Sequence, residues 1–309
     1  MLSDTIQLGT PVVHRGIVVA PLFPRRQPVA DYVTSDVAIP LGFRVAEVDA
    51  AGSVPELRAD NPLDRDVLLY DGEELVGAKQ NRILNVSVLV GAKSEALIPV
   101  SCVEQGRWNA RGATFDAAGH TAYPDLRRRK AEHQSAAPLE RGIAQSVVWD
   151  EVRAKASLHD VASPTGAQDD IYRARHGSLA ELERAFAPVA GQSGAVLAIG
   201  GRLTLDFVSR PDAWERLHPR IVRGYALDAL ERLDGEAAAE EDVAAFIAAV
   251  TTAPSTSRAS AARGDDVRLA GRGLVGSALV VDGEVVQLSA FTSDRDVRAA
   301  TIARPSRRR

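Results

Sequence analysis

The stretch Val67-Leu68-Leu69-Tyr70-Asp71-Gly72-Glu73-Glu74-Leu75-Val76 places an apolar run, a two-residue Asp-Gly loop and a second run in succession. A two-residue loop between paired strands needs positive φ, which glycine reaches without steric cost. The stretch therefore predicts a β-hairpin. The same grammar returns at residues 195–208 around Gly200-Gly201 and at residues 278–288 around Asp282-Gly283. The segments between these hairpins do not match one another, so the three do not form a repeat.

Outward from the first hairpin, Leu84, Val86, Val88 and Val90 alternate with Asn85, Ser87 and Leu89, and residues 96–103 follow a turn near Gly91. This is strand chemistry and predicts a longer β pair over residues 83–103. Upstream, Ile17-Val18-Val19-Ala20 is flanked by Pro21, Pro24 and Pro28. Proline removes a ladder donor, so these runs read as short or edge strands. Residues 43–48 add another strand.

The middle is helical. Residues 123–134 carry Arg127, Arg128, Arg129 and Lys130, read as a solvated face. Residues 139–158 place Ile143, Val147, Val148 and Val152 at helical spacing. Ser178-Leu179-Ala180-Glu181 reads as a capping box opening a helix through Phe186. Residues 214–233 and 240–250 are further helices. Strands early, helices in the middle and strands late favour an α+β fold: a β-hairpin-rich, mixed or antiparallel sheet core with a helical middle segment. The expected organisation is a main α+β domain over 1–250, a Ser/Thr/Ala-rich loop or linker over 251–263, a C-terminal hairpin over 264–300 packing on the main domain, and a disordered basic tail over 301–309.

Composition excludes several function classes. With 45% hydrophobic and 25% charged residues, the chain has ordinary globular composition. One cysteine, Cys102, leaves no intrachain disulfide and no Cys-rich zinc site. The first residues carry no basic segment followed by an apolar run, and no window reaches the about 18 apolar residues of a membrane helix. A cytoplasmic location without membrane contact is expected. The net charge of −4 and 5% aromatic content disfavour nucleic acid as a partner. No P-loop, dinucleotide fingerprint or nucleophile elbow occurs. No histidine pair has ligand spacing, so no metal and no cofactor is assigned.

Two polar segments remain as candidate sites. One runs from Asp71 to Arg82 and the other from Ser101 to Trp108. Lys79, Gln80, Asn81 and Arg82 are four polar residues before an apolar strand, so half of them point inward and need partners. Lys79, Arg82 and Arg107 suit a phosphate or carboxylate, and Trp108 suits stacking on a ring. Glu104 and Glu74 are candidate acid/base groups, and Cys102 is a candidate nucleophile. The competing readings are a polar hairpin tip at Asp71, Glu73 and Glu74, a structural network at 79–82, a buried apolar cysteine, and a Glu104–Arg107 pair beside a core tryptophan.

The stretches Asp71-Gly72-Glu73-Glu74-Leu75-Val76-Gly77-Ala78-Lys79-Gln80-Asn81-Arg82 and Ile98-Pro99-Val100-Ser101-Cys102-Val103-Glu104-Gln105-Gly106-Arg107-Trp108 resemble the motifs of a bacterial family, the ADP-ribosylglycohydrolase- and rhodanese-phosphatase-associated proteins. The resemblance continues through residues 194–202 and 214–230. It implies a neighbourhood with enzymes that remove ADP-ribose or phosphate, in nucleotide-processing or RNA-repair settings, and no particular reaction. It gives weight to Lys79, Gln80, Asn81, Arg82, Cys102, Glu104, Arg107 and Trp108 as signature positions. Three expectations are carried forward, the third of them from the basic run at 127–130 and not from the resemblance. The first is binding or processing of a small phosphate-containing ligand, ADP-ribose-like or an RNA-repair-linked nucleotide. The second is a non-catalytic module that docks a partner enzyme, such as an ADP-ribose-processing one. The third is RNA binding through the face at 127–130, with steep salt dependence.

Overall fold

Two of the three glycine turns join neighbouring strands of one large sheet. In a computed structural model that describes residues 5–136 and 144–296, Gly194–Ile199 pairs antiparallel with Arg202–Val208. Gly200 and Gly201 take φ of 52° and 79°, the double positive φ of a primed turn. Asp265–Val281 pairs with Glu284–Asp296 across Asp282-Gly283. Register shifts near Arg272 and near Leu279 bend this long ribbon. The sheet runs Ile6–Leu8, Ile17–Pro24, Gly194–Ile199, Arg202–Val208, Glu284–Asp296, Asp265–Val281, Ser255–Ala259, with Val12–His14 also on Ile17–Pro24.

Two expectations are corrected here. Ile17–Pro24 is an interior strand, not a short or edge one. The Pro21 carbonyl accepts the Gly9 N–H at 2.8 Å. A residue's N–H and C=O project to the same side of an antiparallel strand. The missing donor therefore falls in the gap between Ile6–Leu8 and Val12–His14, where no ladder bond is lost. Ser255–Ala259, inside the segment read as a loop or linker, is an edge strand paired with Asp265–Leu269. Its small polar residues suit a solvated sheet edge.

The Asp71-Gly72 turn is tight but does not make a hairpin. Glu73 N–H donates to Tyr70 O at 3.0 Å, and yet the strands on either side belong to different sheets. Asp66–Leu69 lies between Tyr32–Thr34 and Val88–Val90 in a three-stranded sheet. Glu73–Gly77 lies between Phe115–Thr121 and Arg82–Leu84. Side chains take the donors that a facing strand would need: Tyr70 N–H donates to Glu73 Oε2 at 3.1 Å and Asp71 N–H to Ser87 Oγ at 2.8 Å. For the same reason residues 83–103 are not one long pair. Arg82–Leu84 pairs with Val100–Cys102, and the chain then leaves for the three-stranded sheet at Val88.

The third sheet runs Phe115–Thr121, Glu73–Gly77, Arg82–Leu84, Ser94–Cys102, Glu56–Asn61, Arg44–Glu47. An isolated antiparallel bridge between Ala46 and Thr114 joins its two ends. The sheet thereby closes into a small barrel and removes its open edges. Phe43, Val45, Leu57, Leu75, Leu84, Ile98, Val100 and Phe115 fill it.

Helices cover the seam between barrel and large sheet, giving an α+β fold. In Pro211–Ala229, Trp214, Leu217, Ile221, Val222 and Tyr225 form a stripe at helical spacing and pack with Ile17, Val19, Leu197 and Tyr123. Pro124–Ala136, Gln145–Leu158, Gln168–Ala174, His176–Ala185 and Glu240–Thr252 complete the set. His176–Ala185 begins two residues before Ser178, with Arg175 at the N-cap and no side-chain cap, so the capping-box reading is corrected. The expected helical residues 139–143 and the basic tail lie outside the described residues. No described helix is long and apolar enough to cross a membrane.

Candidate functional site

The loops that lead into Arg82 and out of Cys102 run side by side, because Arg82 and Cys102 are paired in the barrel. Val103 N–H donates to Asn81 O at 3.1 Å. Around that contact the two polar segments build one buried network. Asn81 N–H donates to Glu104 Oε2 at 3.1 Å, and Asn81 Nδ2 donates to Glu74 Oε1 at 3.1 Å. Arg107 Nη2 lies 2.7 Å from Glu104 Oε2 and also donates to Asn81 Oδ1 and Gly77 O, each at 3.1 Å. Its Nη1 donates to Ala78 O at 2.6 Å and Asn109 O at 2.9 Å. Thr165 Oγ1 donates to Glu104 Oε1 at 2.9 Å. Burial alone would raise the Glu104 pKa, but the bonds from Arg107, Asn81 and Thr165 outweigh it and hold the carboxylate below its ordinary value.

On the other side of Asn81, Glu74 Oε2 accepts from Gln168 Nε2 at 2.6 Å and lies 2.9 Å from His120 Nε2. The His120 ring stacks on Tyr172 at 3.7 Å between centroids. His120, Thr165, Gln168 and Tyr172 were missed as members of this network. They come from segments distant in sequence, and no local pattern marks them. Thr165, Gln168 and Tyr172 are placed by a β-bridge between Glu104 and Ala167, which zips the strap before Gln168–Ala174 onto the motif, and His120 by the strand Phe115–Thr121, which pairs with Glu73–Gly77.

Arg82 is placed differently. Its side chain is 0% exposed. Nη1 donates to Gln80 O at 3.2 Å and Gln80 Oε1 at 3.1 Å. Nε and Nη2 have no hydrogen-bond partner, and the nearest carboxylate, Glu47 Oε1, is 4.0 Å away. The buried arginines among the described residues are Arg82, Arg107, Arg127, Arg220 and Arg268. The other four have a carboxylate at 2.7, 2.6, 2.8 and 2.8 Å respectively. Burial pulls the Arg82 guanidinium below its ordinary pKa, with Cys102 and Glu47 opposing. Burial also pushes the Cys102 thiol up to about 11, with Arg82 opposing, so the group is a thiol at neutral pH. Above Arg82 stands Trp108, 48% exposed, with its ring 5.5 Å from the Arg82 guanidinium and 5.4 Å from Lys79 Nζ. Lys79 Nζ donates to Ala50 O at 2.6 Å and Ala51 O at 2.5 Å.

The basic run at 127–130 is not the solvated face that the sequence predicts. Arg127 is fully buried and grips Asp206 with both Nη atoms, at 2.8 and 2.6 Å. Asp206 also accepts from Tyr70 OH at 2.5 Å, Tyr225 OH at 2.7 Å and Ser289 Oγ at 2.8 Å. Lys130 Nζ is buried on Asp71 Oδ1 at 2.6 Å. Gly72 makes room for this cluster: a Cβ there would lie 2.7 Å from Arg127 Cδ. Arg128 is mostly covered by Asp125 and Glu132, and the exposed Arg129 is held by Glu151. The RNA face expected at 127–130 is therefore turned inward or paired.

Among the described residues, two of the larger cavities lie outside the motif network. One of about 360 Å³ adjoins the strap, lined in part by Gln105, Trp149, Arg153 and Ser163. A cleft of about 640 Å³ lies at the seam of the large and three-stranded sheets, lined in part by Val29, Arg65, Phe207, Arg263 and Glu284. Among the described residues no group of three or more His, Cys, Asp and Glu side chains is placed to hold a metal ion.

Residues 5–291 match the model of one protein family, described as the ARG and Rhodanese-Phosphatase-superfamily-associated Protein domain. The family name records an association with ADP-ribosylglycohydrolase and rhodanese-phosphatase proteins. No curated protein matches the chain, and no solved structure matches it.

Proposed function

The chain belongs to the ADP-ribosylglycohydrolase- and rhodanese-phosphatase-superfamily-associated family, and on that premise we propose that it binds a small phosphate-containing ligand, ADP-ribose-like or an RNA-repair-linked nucleotide, with Arg82 as the anion anchor. The observation that carries this reading is the contrast among the buried arginines of the described residues: Arg82 alone has no carboxylate within 2.8 Å, and its Nε and Nη2 have no hydrogen-bond partner. A buried donor left unmade costs about 1–3 kcal/mol, so such a group needs an ion, water or ligand to complete it. Trp108 and Lys79 cover the guanidinium, and lifting the half-exposed indole gives a ligand its way in. The indole then stacks on a ring of the ligand while Lys79 adds a second cation. Gln80 already shares Arg82 Nη1 and orients it. Asn81, Glu74, Glu104 and Arg107 hold the two loops in register. Binding is favoured over turnover, because Cys102 is protonated and the carboxylate oxygens of Glu74 and Glu104 are already engaged.

Thermal unfolding with ADP-ribose, NAD and cyclic nucleotides tests the reading. A ligand at 100 times its Kd stabilises by about 2.7 kcal/mol, a shift of roughly a few degrees. The expected result is such a shift for wild type that vanishes in Arg82→Met. No shift with any of these ligands sinks the proposal.

A second reading, a non-catalytic module that docks an ADP-ribose-processing enzyme, is favoured by the internal pairing of Glu74, Asn81, Glu104 and Arg107 with one another. It expects a stable complex with a neighbouring ADP-ribosylglycohydrolase or rhodanese-phosphatase on size exclusion, insensitive to Arg82→Met.

A further inference from the structure

We propose that the 640 Å³ cleft is a seat for the free C-terminal carboxylate of a partner peptide, and that Glu284 fills that seat in the unbound protein. The cleft uses none of the residues around Arg82. Two consecutive backbone N–H groups, Val29 and Ala30, donate to the same oxygen, Glu284 Oε2, at 2.9 and 2.8 Å. Adjacent amides converging on one oxygen are an anion nest, a recurring device for capturing a peptide's terminal carboxylate. The Glu284 side chain stands in for that carboxylate. It follows directly on the Asp282-Gly283 turn and is only partly buried, so one rotamer change empties the seat.

The rest of the lining decides what kind of anion fits. Asp31, Asp64, Asp66 and Asp282 line the same cleft. Each is held by a cation: Asp31 by Arg65 and Arg210, Asp64 by Lys93, Asp66 and Asp282 by Arg263. Even so, the four aspartates outnumber the arginines of the lining, Arg26, Arg65 and Arg263, and this balance disfavours a doubly charged phosphate more than a singly charged carboxylate. Phe207, Val281 and Val285 give the cleft an apolar floor, and Val29 at its rim is 88% exposed. A volume of about 640 Å³ suits several residues rather than one small acid. The occupant is therefore the last few residues of a chain with apolar side chains and a free terminus.

The test uses fluorescein-labelled hexapeptides with the last four residues randomised to apolar types, in one pool with free carboxylates and in another with amidated ends. Glu284→Ala is expected to bind the acid pool at least tenfold more tightly than the amide pool, and the acid pool is expected to move the Val29 and Ala30 amide resonances. Glu284→Gln keeps an acceptor for the Val29 and Ala30 amides without the charge, and is expected to bind the acid pool more tightly than wild type. Arg82→Met is expected to leave all of this unchanged, which separates this seat from the phosphate site. Equal binding of the two pools to Glu284→Ala, or amide resonances that the acid pool does not move, overturns the proposal. So does a folded Glu284→Gln that binds no more tightly than wild type.

Discussion

Arg127 and Arg82 are both fully buried guanidinium groups, and the molecule treats them in opposite ways. Arg127 sits at the seam of the two large β-structures with Asp206, Tyr70, Ser289 and Asp71 around it, and its nitrogens have partners. Its pKa stands well above the ordinary value: burial lowers it, and Asp206 more than reverses that. Arg82 sits at the barrel with one shared glutamine and a carboxylate 4.0 Å away. A completed buried ion pair holds an architecture together, whereas an incomplete one leaves binding capacity unspent. The difference teaches that the polar density of a sequence segment does not tell which of its charges are finished.

The largest effect expected from this comparison is at the seam. Arg127→Met leaves Asp206 as a buried charge without its cation, and is expected to lose about 3–5 kcal/mol in denaturant unfolding. A loss under 1 kcal/mol would erase the contrast from that side.

Next in size is an alkaline effect at Cys102, beside Arg82. The thiol's pKa is raised from 9.0 to about 11 in the folded protein. A raised folded pKa means stability that is present below pH 9 and is lost as pH climbs through 11. The difference corresponds to about 2–3 kcal/mol. Stability curves of wild type and Cys102→Ala are expected to converge by about that amount between pH 9 and 11. Parallel curves would place Cys102 outside the low-dielectric pocket assigned to it.

The smallest effect sharpens the account of the motif network. Thr165→Val removes one of the bonds to Glu104, and is expected to lose about 1–2 kcal/mol while leaving ligand-induced thermal shifts in place. Loss of the shift at full stability would move the ligand from Arg82 toward the strap.

Local turn chemistry made part of the fold legible. Gly200-Gly201 and Asp282-Gly283 announce their hairpins because the φ demand is met within two residues. Asp71-Gly72 carries the same signal and turns a corner between sheets instead, because Glu73 and Ser87 take the neighbouring donors. That outcome depends on contacts that no window of sequence contains. The motif residues were legible as a group, since the register of Arg82 on Cys102 brings their loops together. The Arg127 cluster was not, because its partners lie 79 and 162 residues away and its helix has too little apolar contrast to show which face is buried. A run of basic residues reads as solvated by default, and only the acids it meets in space overturn that.

The measurement closest to the central claim is urea unfolding of Arg82→Met beside wild type. A buried charge kept for a ligand contributes nothing to the empty fold, so Arg82→Met is expected to match wild type within about 1 kcal/mol or to exceed it. A loss of about 3 kcal/mol or more would mean that Arg82, like Arg127, belongs to the scaffold.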